Sequence, residues 1–201
     1  QPGIVFARNR CVKEFLKTNS QNLFFIDDDE WPEAENWAQN LLDKQKEYQV
    51  DIITSHVISV GEDSTPQWAI KLIYGKNQFK EADLAPVFYT NNLLISRKTL
   101  ETVTPAFDER FAMTGASDYH FALKCKKAGF LSRYTVAPVL EEFPKSRATV
   151  KWFLKRGFRS GIGFTRSHLF EEPLLKAISR CLVMSGVRLL RGLGYFILGV
   201  V

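Results

Sequence analysis

"NLFFIDDDEWP", residues 22–32, sets four consecutive acids, Asp27, Asp28, Asp29 and Glu30, directly behind an apolar and aromatic run, and closes on Pro32. "LFFI" reads as a short buried strand, and strands of this continuous apolar kind are usually parallel. The acids then stand at its C-terminal mouth, where open parallel sheets bind ligands. Adjacent carboxylates repel one another unless something positive sits among them. A hard divalent cation, Mg²⁺ or Mn²⁺, prefers oxygen ligands and takes up substrate phosphates beside its waters. Asp27 and Asp29, two apart, can both face the mouth. The alternative is a solvated acidic loop, or a charge cluster ahead of a helix opened by Pro32.

Working outward, Ile4, Ala7, Cys11, Phe15 and Leu16 follow helical spacing, which predicts a helix over 4–18. Downstream, Pro32 and Glu33 open a helix to about Tyr48, and "DIITSHVISV", 51–60, is a β-branched second strand. Residues 61–86 predict loops with one short strand or helix. "VFYTNNLLISR" is strand-like with Asn91 and Asn92 in its middle, and "RKTLETV" is a short helix. A helix starts near Asp118 and stops at Gly129; "LSRYTVAPVLEEF" is a further strand; from Arg147 the pattern is helical to the end.

With 201 residues, 45% of them hydrophobic and 13% aromatic, the chain can bury a core, which excludes disorder and makes an α/β fold the default. Three scattered cysteines suggest neither a disulfide framework nor a zinc site, which fits a reducing, cytosolic compartment. The net charge of +5 conceals an asymmetry: residues 1–142 carry 16 Lys and Arg against 20 Asp and Glu, residues 143–201 carry 11 against 2. A basic tail points to a polyanion or an anionic membrane. No zinc finger, basic zipper or aromatic-basic RNA-binding motif accompanies it, so nucleic acid is not expected. The opening "QPGIVFARNR" has no signal-peptide character, and the chain reads as a piece of a longer protein.

Asp118, in "TGASDYHF", is the second candidate for chemistry. Ser117 and Asp118 could simply cap a helix. Beside the acidic strand end, however, a separate carboxylate base is what transfer to a sugar hydroxyl requires. His56, His120 and His168 lack metal spacing and read as packed or surface residues.

"GIVFARNR", "LFFIDDDEWP", "TNNLLISR", "FDERFAMTGASDYHFALKCKKAGF" and "RATVKWFLKRGFRSG" stand in the order seen in family 2 glycosyltransferases of the GT-A fold, and the chain resembles these over nearly its whole length. The resemblance implies a Rossmann-like three-layer sandwich with a mainly parallel central sheet, entered after the first strands, over 1–145, and a basic helical extension over 146–201. It implies inverting transfer from a nucleotide-diphospho-sugar to a glycan or lipid-linked hydroxyl, with Asp29 and Asp27 on Mn²⁺ or Mg²⁺ and Asp118 as the base. Arg8, Asn9, Asp27, the variable Asp28 and Asn92 would lie on the donor side, and Asn91, Arg147, Trp152 and Arg156 near acceptor or diphosphate. Ser117 stands where the family more often has Glu, and 147–156 departs from its QxxRW pattern. Donor-base identity is not legible, and the chain alone is expected to bind nucleotide-sugar poorly.

In the tail, cations at Lys176, Arg180, Arg188 and Arg191 argue against a membrane span through 174–192. They suit a helix lying in the plane of an anionic lipid surface at the cytoplasmic face, contacting it through 174–201. The apolar run 193–201 is too short to span alone, and a C-terminal helix packed on its own domain is the other possibility. Two rival functions have sequence support: a non-enzymatic basic-tailed adaptor, and a DxD phosphatase, for which Trp31 stands where Thr or Val is wanted.

Overall fold

The computed structural model of the chain describes residues 3–73 and 79–197. Helix α1 (Ile4–Leu16) leads into β1 (Asn22–Ile26), and the acids form a tight turn into β2 (Glu30–Pro32). Pro32 therefore closes an edge strand, where its missing N–H costs nothing, and α2 begins later than expected, at Trp37, running to Tyr48. The single strand expected over 51–60 is two, β3 (Ile52–Thr54) and β4 (Val57–Gly61), in different sheets. Helix α3 (Gln67–Ile73) is the one element that the 61–86 stretch contributes among the described residues. β5 (Asn92–Ser96) runs straight into α4 (Arg97–Thr102), whose N-cap Ser96 accepts from the Thr99 amide.

Helix α5 (Ser117–Lys127) ends where Gly129 takes a φ of +88°, the left-handed turn that a side chain resists. "LSRYTVAPVLEEF" also divides, into β6 (Ser132–Tyr134) and β7 (Val139–Phe143), on either side of Pro138. Thr149 then caps α6 (Val150–Glu171) by accepting from the Trp152 amide, and α7 (Leu174–Ile197) follows Pro173. The end of the apolar run, 198–201, lies outside the described residues.

The larger sheet has the order β1-β5-β3-β6. β1, β3 and β6 run one way and β5 the other, so β1 pairs antiparallel with β5, not parallel as its composition suggested. The chain leaves β3 at Thr54 and re-enters at Asn92 beside that same end of the sheet, so β5 runs reversed. Because β5 and β3 are central, both faces are buried: Leu93, Ile95 and Ile52 meet α1, α4 and α5, while Leu94 and Ile53 meet Trp37 and Leu41 of α2. Helices thus cover both faces in three layers. A smaller sheet, β2-β7-β4, stands beside the mouth of β1.

Candidate active site

At the end of β1 the backbone folds back on itself. The Glu30 amide donates to the Asp27 carbonyl at 3.2 Å, and the Asp27 amide donates to the Glu30 carboxyl Oε2 at 3.0 Å. This reciprocal pair fixes the acidic turn and sorts its members. Asp27 and Asp29 line a cleft of about 1280 Å³, Asp28 stands outside it in solvent, and Glu30 enters β2 directly opposite Glu141 of β7. Burial pushes the Glu30 carboxyl up to about 8, the Asp27 amide opposes this, and the charges of Asp27, Glu141 and Asp29 add to the rise.

Asp118 comes to the same cleft from the first turn of α5. Gly115 (φ +76°) and Ala116 (φ +67°) both take left-handed conformations to make that turn, and α6 presses on it: a methyl on Gly163 would stand 2.4 Å from the Ala116 Cβ. No side chain caps the helix from Ala116. Ser117, 1% exposed, instead accepts from Arg8 Nη1 at 3.2 Å. The other Arg8 nitrogen, Nη2, lies 3.6 Å from Asp27 Oδ1. Arg8 therefore ties the acidic turn to the helix that carries Asp118. Burial raises the Asp27 carboxyl above its ordinary range, Arg8 pulls it back, and Asp29, Asp118 and Asp28 push it up again.

Asn91, Arg147 and Arg156 line the cleft with the acids, as does Glu141, whose Oε1 is 3.8 Å from an Arg147 nitrogen. Besides Asp28, four expected site residues do not line the cleft. Arg8 is occupied by Ser117 and Asp27, behind the cleft wall. Asn9 spends both ends of its amide on the backbone of Phe107, at 2.8 and 3.1 Å. Asn92 is fully buried, donating to the carbonyls of His56 and Ala137 and accepting from Trp37 Nε1, which makes it the clasp between the two sheets. Trp152 packs edge-on against Phe143 and Phe153, with Arg156 over its ring. Glu141 escaped the sequence reading, although "VLEEF" held a signal: at period two it falls on the same face as the buried Val139 and Phe143.

Among the described residues no three His, Cys, Asp or Glu side chains converge closely enough to cage an ion. Asp27 and Asp29 nevertheless present an oxygen-only, like-charged rim on an open cleft. That donor set fits a hard cation which keeps waters and draws its remaining ligands from a substrate phosphate.

No family model matches the sequence, and no curated protein sequence matches it. Solved structures do. The chain is similar to A197 from STIV, with a TM-score of 0.52 and 13% identity over 72% of this chain and 70% of that one. It is similar also to GalNAc-T7 crystallised with UDP, GalNAc and Mn²⁺, with a TM-score of 0.52 and 14% identity over 85% of this chain and 38% of that one. S. aureus TarS 1-349 in complex with UDP matches at a TM-score of 0.45 and 13% identity, covering 81% and 45%. The chain thus spans well under half the length of GalNAc-T7, and what the likeness shows is the GT-A fold.

Proposed function

We propose that the protein is an inverting glycosyltransferase of the family 2 type, moving a hexosyl group from a nucleotide-diphospho-sugar to a hydroxyl of a glycan or lipid-linked acceptor. One observation carries the reading: acids from two distant segments, Asp27 and Asp29 at the end of β1 and Asp118 at the start of α5, line one cleft with Arg147 and Arg156. A solvated acidic loop or a mere helix cap gives no reason for that convergence, nor does a non-enzymatic adaptor. The GT-A fold supports the reading, and so does the UDP and Mn²⁺ in the similar GalNAc-T7 structure.

In this reading Asp29 and Asp27 would hold Mn²⁺ or Mg²⁺, which would neutralise charge developing on the diphosphate leaving group. Asp118 accepts the acceptor hydroxyl's proton as that oxygen bonds to the anomeric carbon and the bond to the diphosphate oxygen breaks. One displacement from the opposite face inverts the centre. Arg147 and Arg156 offer donors to phosphate oxygens along the far wall, and Asn91 offers an amide to a sugar hydroxyl. A lipid-linked acceptor suits a cationic, apolar stretch over 174–201 resting on an anionic membrane at the cytoplasmic face.

The test is transfer from a panel of nucleotide-sugars in the presence of Mn²⁺, with Asp29→Asn and Asp118→Asn as controls. Each substitution is expected to lower turnover by about 10²–10⁴-fold. Activity that survives both refutes the mechanism.

A further inference from the structure

Helices α6 and α7 present apolar side chains to solvent in stripes that no described element covers. Along α7, Leu175, Ile178, Leu182, Leu189 and Leu193 recur every three, four or seven residues, and Leu175, Leu182 and Leu189 are 83%, 68% and 67% exposed. The opposite flank is the one that packs: Ala177 is fully buried, and Cys181 and Met184 face α6 across a groove. Along α6, Val150, Leu154, Phe158 and Ile162 stand four apart, with Leu154 70% and Phe158 74% exposed. A single exposed leucine means nothing. Two stripes on adjacent helices of 22 and 24 residues form a surface that calls for a partner.

We propose that this surface docks the protein, in the plane of the interface, on an anionic lipid bilayer. Lys151 and Lys155 flank the α6 stripe, and Lys176 flanks that of α7. The two acids of the region are already engaged. Glu171 pairs with His120 and Lys127, and Glu172 with His168 and Arg180. The face therefore combines apolar stripes with cations, which a lipid headgroup layer satisfies at both levels. A second copy of the chain would set cation against cation across the same contact. Among the described residues no helix is long and apolar enough to cross a membrane, so the helices lie on the surface. Helix α6 also carries Arg156 and Ser160 of the cleft wall. Docking it holds that wall within about one helix diameter, 10–12 Å, of the headgroups. The inference goes beyond transfer and does not depend on it.

Co-sedimentation of the protein with phosphatidylcholine vesicles, with and without phosphatidylglycerol, tests this. Binding is expected to the anionic vesicles alone and to weaken as salt rises. The neutral triple change Phe158→Ser, Leu182→Ser and Leu189→Ser, at exposed positions, is expected to lower partition more than about tenfold. Lys151→Gln with Lys155→Gln leaves the stripes intact and is expected to cost about fivefold for each cation removed. Equal binding to neutral vesicles, or unchanged partition of the serine variant, overturns the proposal. So does a concentration-dependent dimer that the serine changes abolish in a protein that ignores lipid.

Discussion

Replacing Arg8 by methionine keeps the aliphatic stem of the side chain and removes the guanidinium that joins the two halves of the cleft. At the observed 3.6 Å from Asp27, a unit pair in an effective dielectric near 20 interacts by about 4–5 kcal/mol. Asp27 retains 38% exposure, so solvent screening reduces its share to about 1–2 kcal/mol. The bond to Ser117 contributes about 1 kcal/mol more, since that hydroxyl is buried and would lose its donor. Together the loss is about 2–3 kcal/mol, which in a chain of this size lowers the melting temperature by about 5–10 °C. Arg8→Lys restores the charge but not the two-pronged reach, and is expected to fall between.

A second readout moves the other way. In the methionine variant Asp27 no longer shares its charge with a cation, so added Mn²⁺ is expected to raise the melting temperature by more than it does in the unaltered protein. The comparison belongs at about pH 8, well above the ordinary carboxylate range. Calorimetry or dye-monitored melting with and without Mn²⁺ gives both numbers. An Arg8→Met protein as stable as its parent, or one that gains less from Mn²⁺, refutes the view of Arg8 as the internal counter-cation of the acidic turn.

Glu30→Gln tests the protonated acid of that turn. A carboxyl raised to about 8 in the fold contributes stability below its unfolded value, and loses it as pH rises through 8. Urea midpoints of variant and parent should therefore agree near pH 4.5 and separate by pH 9, the variant ahead by about 1–2 kcal/mol after screening. Asn92→Leu strands two carbonyls and the Trp37 N–H in the interior, and is expected to cost about 3–4 kcal/mol by urea unfolding. Gly163→Ala places a methyl against Ala116. Overpacking should cost about 1–3 kcal/mol, and the shift of the turn ahead of Asp118 should lower kcat for transfer more than KM.

The regular elements were legible because their signals are local. The 3.6 period of α1, the apolar continuity of β1 and the glycine stop of α5 each sit within about a dozen residues. The breaks at Ser55–His56 and at Pro138 were not, since a β-branched run looks the same whether it stays in one sheet or crosses to another. What divides "DIITSHVISV" is the Asn92 amide, 36 residues away, which takes the His56 carbonyl. Arg8 was legible as a cation with chemistry nearby, but its partner Ser117 is 109 residues distant. No pattern within α1 tells a phosphate-binding arginine from one that braces the site from behind.

The adjacent asparagines, both expected near a ligand, divide in the structure. Asn91 closes the turn ahead of β5 and Asn92 is the first residue of the strand, and their side chains part there. Asn91 lines the cleft, and Asn92 turns inward to His56, Ala137 and Trp37. The acidic turn, which is not extended, divides too, with Asp27 and Asp29 at the cleft and Asp28 outside it. In both places a cluster of like residues divides into a part that meets the cleft and a part that does not, and at β5 the buried Asn92 is what gives Asn91 a fixed position. On that logic Asn92→Leu should damage transfer through Asn91 and β5 together, whereas Asp28→Asn, outside the cleft, should leave it unchanged.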